Sequence, residues 1–229
     1  MDFDAWEPVY EAVLADFGFP READERARDL LADLLTGETL APADLEFAGA
    51  AVAIAGGGPS LRAELDRARR ADAVVAASDA AAVLRDAGVS VDCTVTDLDE
   101  EVDVTRELTG EGTPVAVHAH GDNMSALRDR VPDLAHGAVL PTTQAAPAGP
   151  VSNPGGFTDG DRAAFLADAR GADRLVFVGW DFDDPDVDPL KRKKLEWAER
   201  LLRWLERRRG ERFDVLDGRR QGIDESVLP

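Results

Sequence analysis

The sequence predicts an α/β fold, a mostly parallel open sheet with helices on both faces, preceded by a small helical N-terminal appendage. Three observations predict it: apolar positions at helical spacing near the start, short continuously apolar runs from about residue 47, and helical segments between those runs. In residues 3–36 the apolar positions are Phe3, Trp6, Val9, Tyr10, Val13 and Leu14, then Leu30, Leu31, Leu34 and Leu35. The break at "FGFP" divides them into two helices, an appendage over 1–46. Over 47–229 the runs "AAVAIAG", "DAVVAAS", "CTVTD", "PVAVHAH", "GAVLP" and "RLVFVGW" read as strands buried on both faces, with helices at 60–70, 79–87 and 159–170 among them. "TTQAAPAGPVSNPGG" reads as a mobile loop, and "DPLKRKKLEWAERLL" opens a long helix with Asp188 as N-cap and Pro189 in its first turn.

Length and charge narrow the function classes. A chain of 229 residues supports one sizeable core. Its net charge of -20, from 46 acidic and 26 basic residues, argues against coating nucleic acid or an anionic membrane, because both need phosphate neutralised. Only Lys191, Lys193 and Lys194 are lysine; every other basic residue is arginine. An acidic, lysine-poor composition points to adaptation to high salt, where screening removes the self-repulsion. Cys93 is the single cysteine, which excludes an internal disulfide and a cysteine-rich zinc site. The start "MDFDAWEP" lacks a secretory pattern, and no apolar run reaches the roughly 20 residues of a membrane span, so a soluble cytoplasmic protein is expected. A homo-oligomer is compatible with all of this.

In open α/β sheets ligands bind beyond the carboxyl ends of the strands, where most of the polar clusters here fall. "GGGPSL" joins a strand to a helix, so Gly56, Gly57, Gly58 and Ser60 suit a phosphate, or else an ordinary tight turn. Ser78 and Asp79 follow the second strand, Asp79 near the spacing of a ribose-binding acid. Asp97 and Asp99 follow the third. Asp-x-Asp also occurs at 2–4, 159–161, 181–183, 184–186 and 186–188, so position and not pattern makes this pair a magnesium candidate rather than a solvated face. "HAHGDN" supplies His120 and Asp122, the latter as a third metal ligand; His118 reads as a core histidine, and a zinc site lacks further soft ligands. Lys191, Lys193 and Lys194 crowd a helix start, against the dipole, which suggests an anionic ligand over a merely solvated face. In "NPGGFTDGD" Thr158 and Asp159 are cap candidates, while Asn153, Phe157 and Asp159 together suit a flat heterocycle.

Taken in order, "DFGF", "GGGPSL", "SDAA", "TDLD", "HAHGDN", "NPGGFTDGDRA", "GWDF" and "KRKKLEWA" resemble the archaeal 6-hydroxymethyl-7,8-dihydropterin diphosphokinase family, itself distantly similar to thiamine diphosphokinases. The resemblance implies magnesium-dependent diphosphoryl transfer from ATP to the hydroxymethyl of a reduced pterin, with AMP released. It implies Mg²⁺ on Asp97 and Asp99, phosphates on Gly57, Gly58 and Ser60, the nucleoside near Asp79, and Lys191, Lys193 and Lys194 neutralising the transferred group. Asp122 or His120 would take the alcohol proton. Asn153, Asp159 or Asp181 would read the pterin edges, with Trp180 or Phe157 stacking on its ring. Alternatives are a transferase using nucleotide-activated sugars and a non-catalytic nucleotide- or nicotinamide-binding module. Whether the product feeds folate or a methanopterin-type cofactor stays open.

The charge composition carries its own test. Thermal melts across rising KCl should show the midpoint climbing steeply as repulsion is screened; a flat or falling midpoint would remove the salt-adaptation explanation and reopen the question of a basic partner.

Overall fold

The computed structural model describes residues 1–99 and 102–229. The apolar runs become six short strands, β1 (Ala51–Ala55), β2 (Ala73–Ala77), β3 (Cys93–Thr96), β4 (Val115–Ala119), β5 (Val139–Thr143) and β6 (Arg174–Val178). All pairings are parallel, in the order β5-β4-β3-β2-β1-β6. Between them run the helices α3 (Leu61–Arg69), α4 (Ala80–Asp86), α5 (Val102–Gly110), α6 (Met124–Arg130) and α7 (Asp159–Ala169); α8 (Pro189–Arg209) follows β6. The N-terminal pair is α1 (Phe3–Phe17) and α2 (Arg21–Leu34).

The period-two alternation of each strand splits the core into two layers. Val52, Ile54, Val75 and Val95 pack with α1, α7 and α8, whereas Ala53, Ala55, Val74, Ala76 and Val117 pack with α2, α3, α4, α5 and α6. Four successive crossovers lie on one face and the return from β5 to β6, through α7, lies on the other, as crossovers of one hand require when the strand order reverses. The N-terminal segment over 1–46 shares in both layers. Trp6 of α1 lies with its ring centroid 6.2 Å from Phe165 and 6.4 Å from Trp204, while Ala27 and Leu31 of α2 sit in the opposite layer.

A buried carboxylate ties that segment to the strand ends. Asp24 of α2, 3% exposed, accepts hydrogen bonds from the Tyr10 hydroxyl (2.8 Å), the Gly121 amide (2.7 Å) and the Gln144 side chain (2.8 Å). α2 sits so close to the turn after β4 that a Cβ on Gly121 would lie 2.6 Å from that of Ala23. The stretch expected as a mobile loop is held down as well. Asn153 donates to the carbonyls of Gln144 (2.8 Å) and Ala145 (2.7 Å), and the Ser152 amide donates to Pro141 (3.0 Å). His118 is a core residue, its Nδ1 3.1 Å from Thr142 Oγ1, and burial pushes its pKa well down, so the ring is neutral. Among the described residues no helix is long and apolar enough to cross a membrane.

Removing the Asp24 carboxylate leaves three donors, two of them buried, without an acceptor. Asp24→Ala should therefore lose about 2–5 kcal/mol in urea unfolding, with Asp24→Asn losing less; an unchanged midpoint would show that the tie contributes nothing.

Candidate active site

A cavity of about 320 Å³ opens at the carboxyl ends of the strands, within the size range of small-ligand sites. Its first wall is the glycine turn after β1. Gly56 donates to Val178 O (2.8 Å) and Gly58 to Gly179 O (2.9 Å), fastening this turn to the end of β6. The approach excludes side chains, since a Cβ on Gly56 would sit 2.6 Å from Gly179 O and one on Gly58 2.3 Å from Asp181 Oδ2. Asp181 locks the turn from above, its Oδ2 accepting from the Ser60 amide (3.0 Å) and hydroxyl (2.7 Å). Trp180 donates its indole N–H to Ile54 O (3.0 Å), which leaves its ring on the cavity wall.

The next two strand ends carry backbone strain. Ser78 (φ 44°) after β2 and Leu98 (φ 65°) after β3 are the non-glycine residues with left-handed backbone among those described, a conformation costing about 1–3 kcal/mol each. Neighbouring contacts hold them there. The Ser78 amide donates to Val95 O (2.8 Å), and the Leu98 amide to Thr96 Oγ1 (3.0 Å) with the Leu98 side chain fully buried. Asp79 lines the cavity with a buried Oδ1 that has no protein partner, an acceptor suited to donors from a ligand.

The turn at Leu98 presents Asp97 and Asp99 to the same cavity. His120 Nε2 lies 3.1 Å from Asp97 Oδ2. Asn123 joins the turns after β3 and β4, donating to Asp97 O and His118 O (2.7 Å each) and accepting from the His120 amide (3.0 Å). Asp159, at the start of α7, approaches the pair and bonds Arg162 Nη1 through Oδ1 (2.9 Å). Arg162, 4% exposed, also donates to Gln144 Oε1 (3.3 Å), and Gln144 reaches Asp24. A buried polar chain thus runs from Tyr10 to the cavity floor.

Electrostatics separates the three carboxyls. Burial pushes all three up. At Asp97 the hydrogen bonds from His120 and Asp99, with the Arg162 charge, outweigh burial and hold the carboxyl below the usual range. Asp99 is raised by burial and then by its neighbour Asp97, with Lys194 opposing; Asp159 is raised by burial and then by the Asp97 charge, with Arg162 opposing. Negative charge is therefore crowded here beyond what the side-chain cations offset.

The structure brings together on the cavity wall Gly56, Gly57, Gly58, Ser78, Asp79, Asp97, Asp99, His120, Asp122, Phe157, Thr158, Asp159, Trp180, Asp181, Lys191 and Lys194. Three expected residues lie elsewhere. Ser60 spends its hydroxyl on Asp181, and Asn153 spends its amide on the loop carbonyls. Lys193 turns away to the end of α1, where its Nζ meets Asp16 Oδ1 (2.9 Å) and lies over the Phe17 ring (4.5 Å), because lysines at i and i+2 of a helix cannot share a face. Thr158 is present but partly engaged, its hydroxyl donating to Asp161 Oδ2 (2.6 Å). Phe19, Asp24, Gln144, Arg162 and Gly179 line the cavity without having been singled out in the sequence. Phe19, Arg162 and Gly179 fall within the quoted stretches "DFGF", "NPGGFTDGDRA" and "GWDF", whereas Asp24 and Gln144 carry no local signal.

Comparison with known proteins fits this geometry. The model of the family described as "6-hydroxymethylpterin diphosphokinase MptE-like" matches residues 29–187. Three relatives bear the name 6-hydroxymethyl-7,8-dihydropterin pyrophosphokinase. That of Methanothermobacter thermautotrophicus is 42% identical, that of Pyrococcus furiosus 37% and that of Methanocaldococcus jannaschii 31%. Each match covers 90% of this chain and 94–96% of the relative. With most of its length matched, the chain belongs to the 6-hydroxymethylpterin diphosphokinase MptE-like family, a family of diphosphotransferases.

Proposed function

We propose that the protein transfers a diphosphoryl group from ATP to the hydroxymethyl oxygen of 6-hydroxymethyl-7,8-dihydropterin and releases AMP. The observation that carries this reading is the strand-end carboxylate pair Asp97 and Asp99, set in one cavity with a glycine turn and two lysines. The names of the relatives supply the pterin. In the reaction the hydroxymethyl oxygen attacks the β-phosphorus, a new O–P bond forms, and the bond from that phosphorus to the bridging oxygen on the α-phosphate breaks. The leaving group is AMP, and the alcohol proton goes to a base.

The donor set fits magnesium. Asp97 and Asp99 offer hard carboxylate oxygens whose mutual repulsion a cation relieves. Among the described residues no three His, Cys, Asp or Glu side chains are grouped to hold a metal ion, so Asp122, expected as a third ligand, does not join Asp97 and Asp99; a magnesium ion held by two carboxylates completes its shell with water and substrate phosphates. Mg²⁺ on Asp97 and Asp99 supplies charge stabilisation to the phosphate oxygens. The Gly56 and Gly58 amides are spent on Val178 O and Gly179 O, so of this turn Gly57 offers its amide to a phosphate; Asp79 receives nucleoside hydroxyls through its free oxygen, and Lys191 and Lys194 balance the diphosphoryl charge. Both His120 nitrogens face polar partners, Nε2 the Asp97 carboxylate and Nδ1 the Asp122 amide at 3.4 Å. The exposed Asp122 carboxylate is thus the better proton acceptor.

The purified protein, given Mg²⁺, ATP and the dihydropterin in high salt, should produce AMP and pterin diphosphate, followed by chromatography. Thiamine and nucleotide sugars run in parallel. AMP formed only with thiamine, consumption of a nucleotide sugar alone, or tight nucleotide binding without turnover would each overturn the assignment.

Within that assay, Asp97→Asn and Asp99→Asn should each lower turnover at least about a hundredfold in a protein that still folds. Wild-type rates in folded Asp97→Asn at ordinary Mg²⁺ would remove the metal assignment.

A further inference from the structure

The "DFGF" stretch ending α1 has no part in the chemistry above, yet each of its residues has a defined task. The Asp16 carboxylate accepts from the Trp197 indole (2.7 Å) and from Lys193 Nζ (2.9 Å), fastening the end of α1 to α8. Phe17 packs its ring 5.0 Å from Phe157 and 5.3 Å from Phe19, with the Lys193 ammonium 4.5 Å from its centroid. Gly18 takes the left-handed backbone (φ 71°) that ends the helix and turns the chain. Phe19 then lines the cavity together with Pro20 and Ala23. The result is an apolar, aromatic stretch of cavity wall.

The sheet order says what that wall faces. β3, carrying Asp97 and Asp99, has β2, β1 and β6 on one side and β4 and β5 on the other. The glycine turn, Ser78 and Asp79 end β1 and β2, so the nucleotide takes that side. The start of α2, just after the turn, lies over the end of β4, where a Cβ on Gly121 would meet that of Ala23 at 2.6 Å, and α2 packs on β4 and β5. In-line transfer places the attacking and leaving oxygens on opposite sides of the phosphorus, so an acceptor approaches from the side away from the nucleotide, and a flat, nearly uncharged ring suits an aromatic wall better than a triphosphate does.

We propose that this turn is the acceptor-ring wall, with Phe19 a specificity-determining residue that contacts the bicyclic ring and Lys193 a positioning residue that holds Phe17 beneath it. The proposal rests on the pterin reading above. Loss of an aromatic contact to a flat heterocycle commonly costs about ten- to a hundredfold.

The test is steady-state kinetics with each substrate varied in turn. Phe19→Ala should raise the pterin KM at least about tenfold while the ATP KM stays within about twofold, and Phe19→Tyr should restore the wild-type value. Lys193→Met should raise the pterin KM alone, to a smaller extent, with Lys193→Arg rescuing it through the same cation–ring contact. Wild-type protein that turns over the pterin, with Phe19→Ala keeping the pterin KM or raising the ATP KM instead, would overturn the wall and leave the reaction standing. Failure of the wild type itself to use the pterin would remove both.

Discussion

Everything at the site depends on how closely the backbone at the end of β1 approaches the backbone at the end of β6. The strand order reverses between these neighbours, and a crevice opens where consecutive connections leave in opposite directions. Gly56 and Gly179 meet there with no room for a side chain. A Cβ on Gly179 would fall 2.3 Å from Gly56 O, and its backbone (φ 69°) already disfavours any other residue. From that contact follow the Gly58 to Gly179 bond, the Asp181 clamp on Ser60, and the bond from the Gly179 amide to Glu64 Oε2 (2.7 Å) that fixes α3. The phosphate-type turn is thus a consequence of strand closure, held before any ligand arrives.

A second set of costs gathers at the neighbouring strand ends, where two residues have left-handed backbone and three carboxyls are crowded. These are offset by the surrounding structure: Asn123 bridging two turns, the buried Leu98 side chain, and the chain from Tyr10 through Asp24 and Gln144 to Arg162. Arg162 is the one cation in this set with almost no contact with water, and a guanidinium suits the place because it serves Asp159 and Gln144 at once. The N-terminal helices therefore do more than cover the sheet. Asp24 sets the backbone after β4, and so the position of His120 and Asp122.

The strands, the helices between them and the strand-end location of the site were legible because buried parallel strands and amphipathic helices leave periodic marks in sequence. Gly56, Asp79, Asp97 and Lys194 could be read from their place after a strand or at a helix start. What could not be read was tertiary. Asp24 lies 120 residues from the Gln144 it bonds, on an acidic helix whose other acids are ordinary surface. Ser60 and Asn153 have the right chemistry in the right motif, yet each is consumed by a neighbour that only folding brings near. The 1–46 segment reads as an appendage because its own amphipathic pattern is complete and says nothing of what covers its apolar faces.

The lysines show how composition and site constrain each other. In a chain that uses arginine for nearly every surface cation, Lys191 and Lys194, three apart on α8, share the face turned to the cavity. An arginine there would bring a planar fork that demands one geometry, whereas an ammonium acts as a point charge able to follow a phosphate as bonds form and break. Lys193, on another face of the same turn, meets a ring and a carboxylate at the end of α1. One helical turn thus places two ammoniums on the cavity and a third at the end of α1. Asp188 makes this possible by capping the helix through the Lys191 amide (2.9 Å), satisfying the exposed end of a helix whose dipole its lysines oppose.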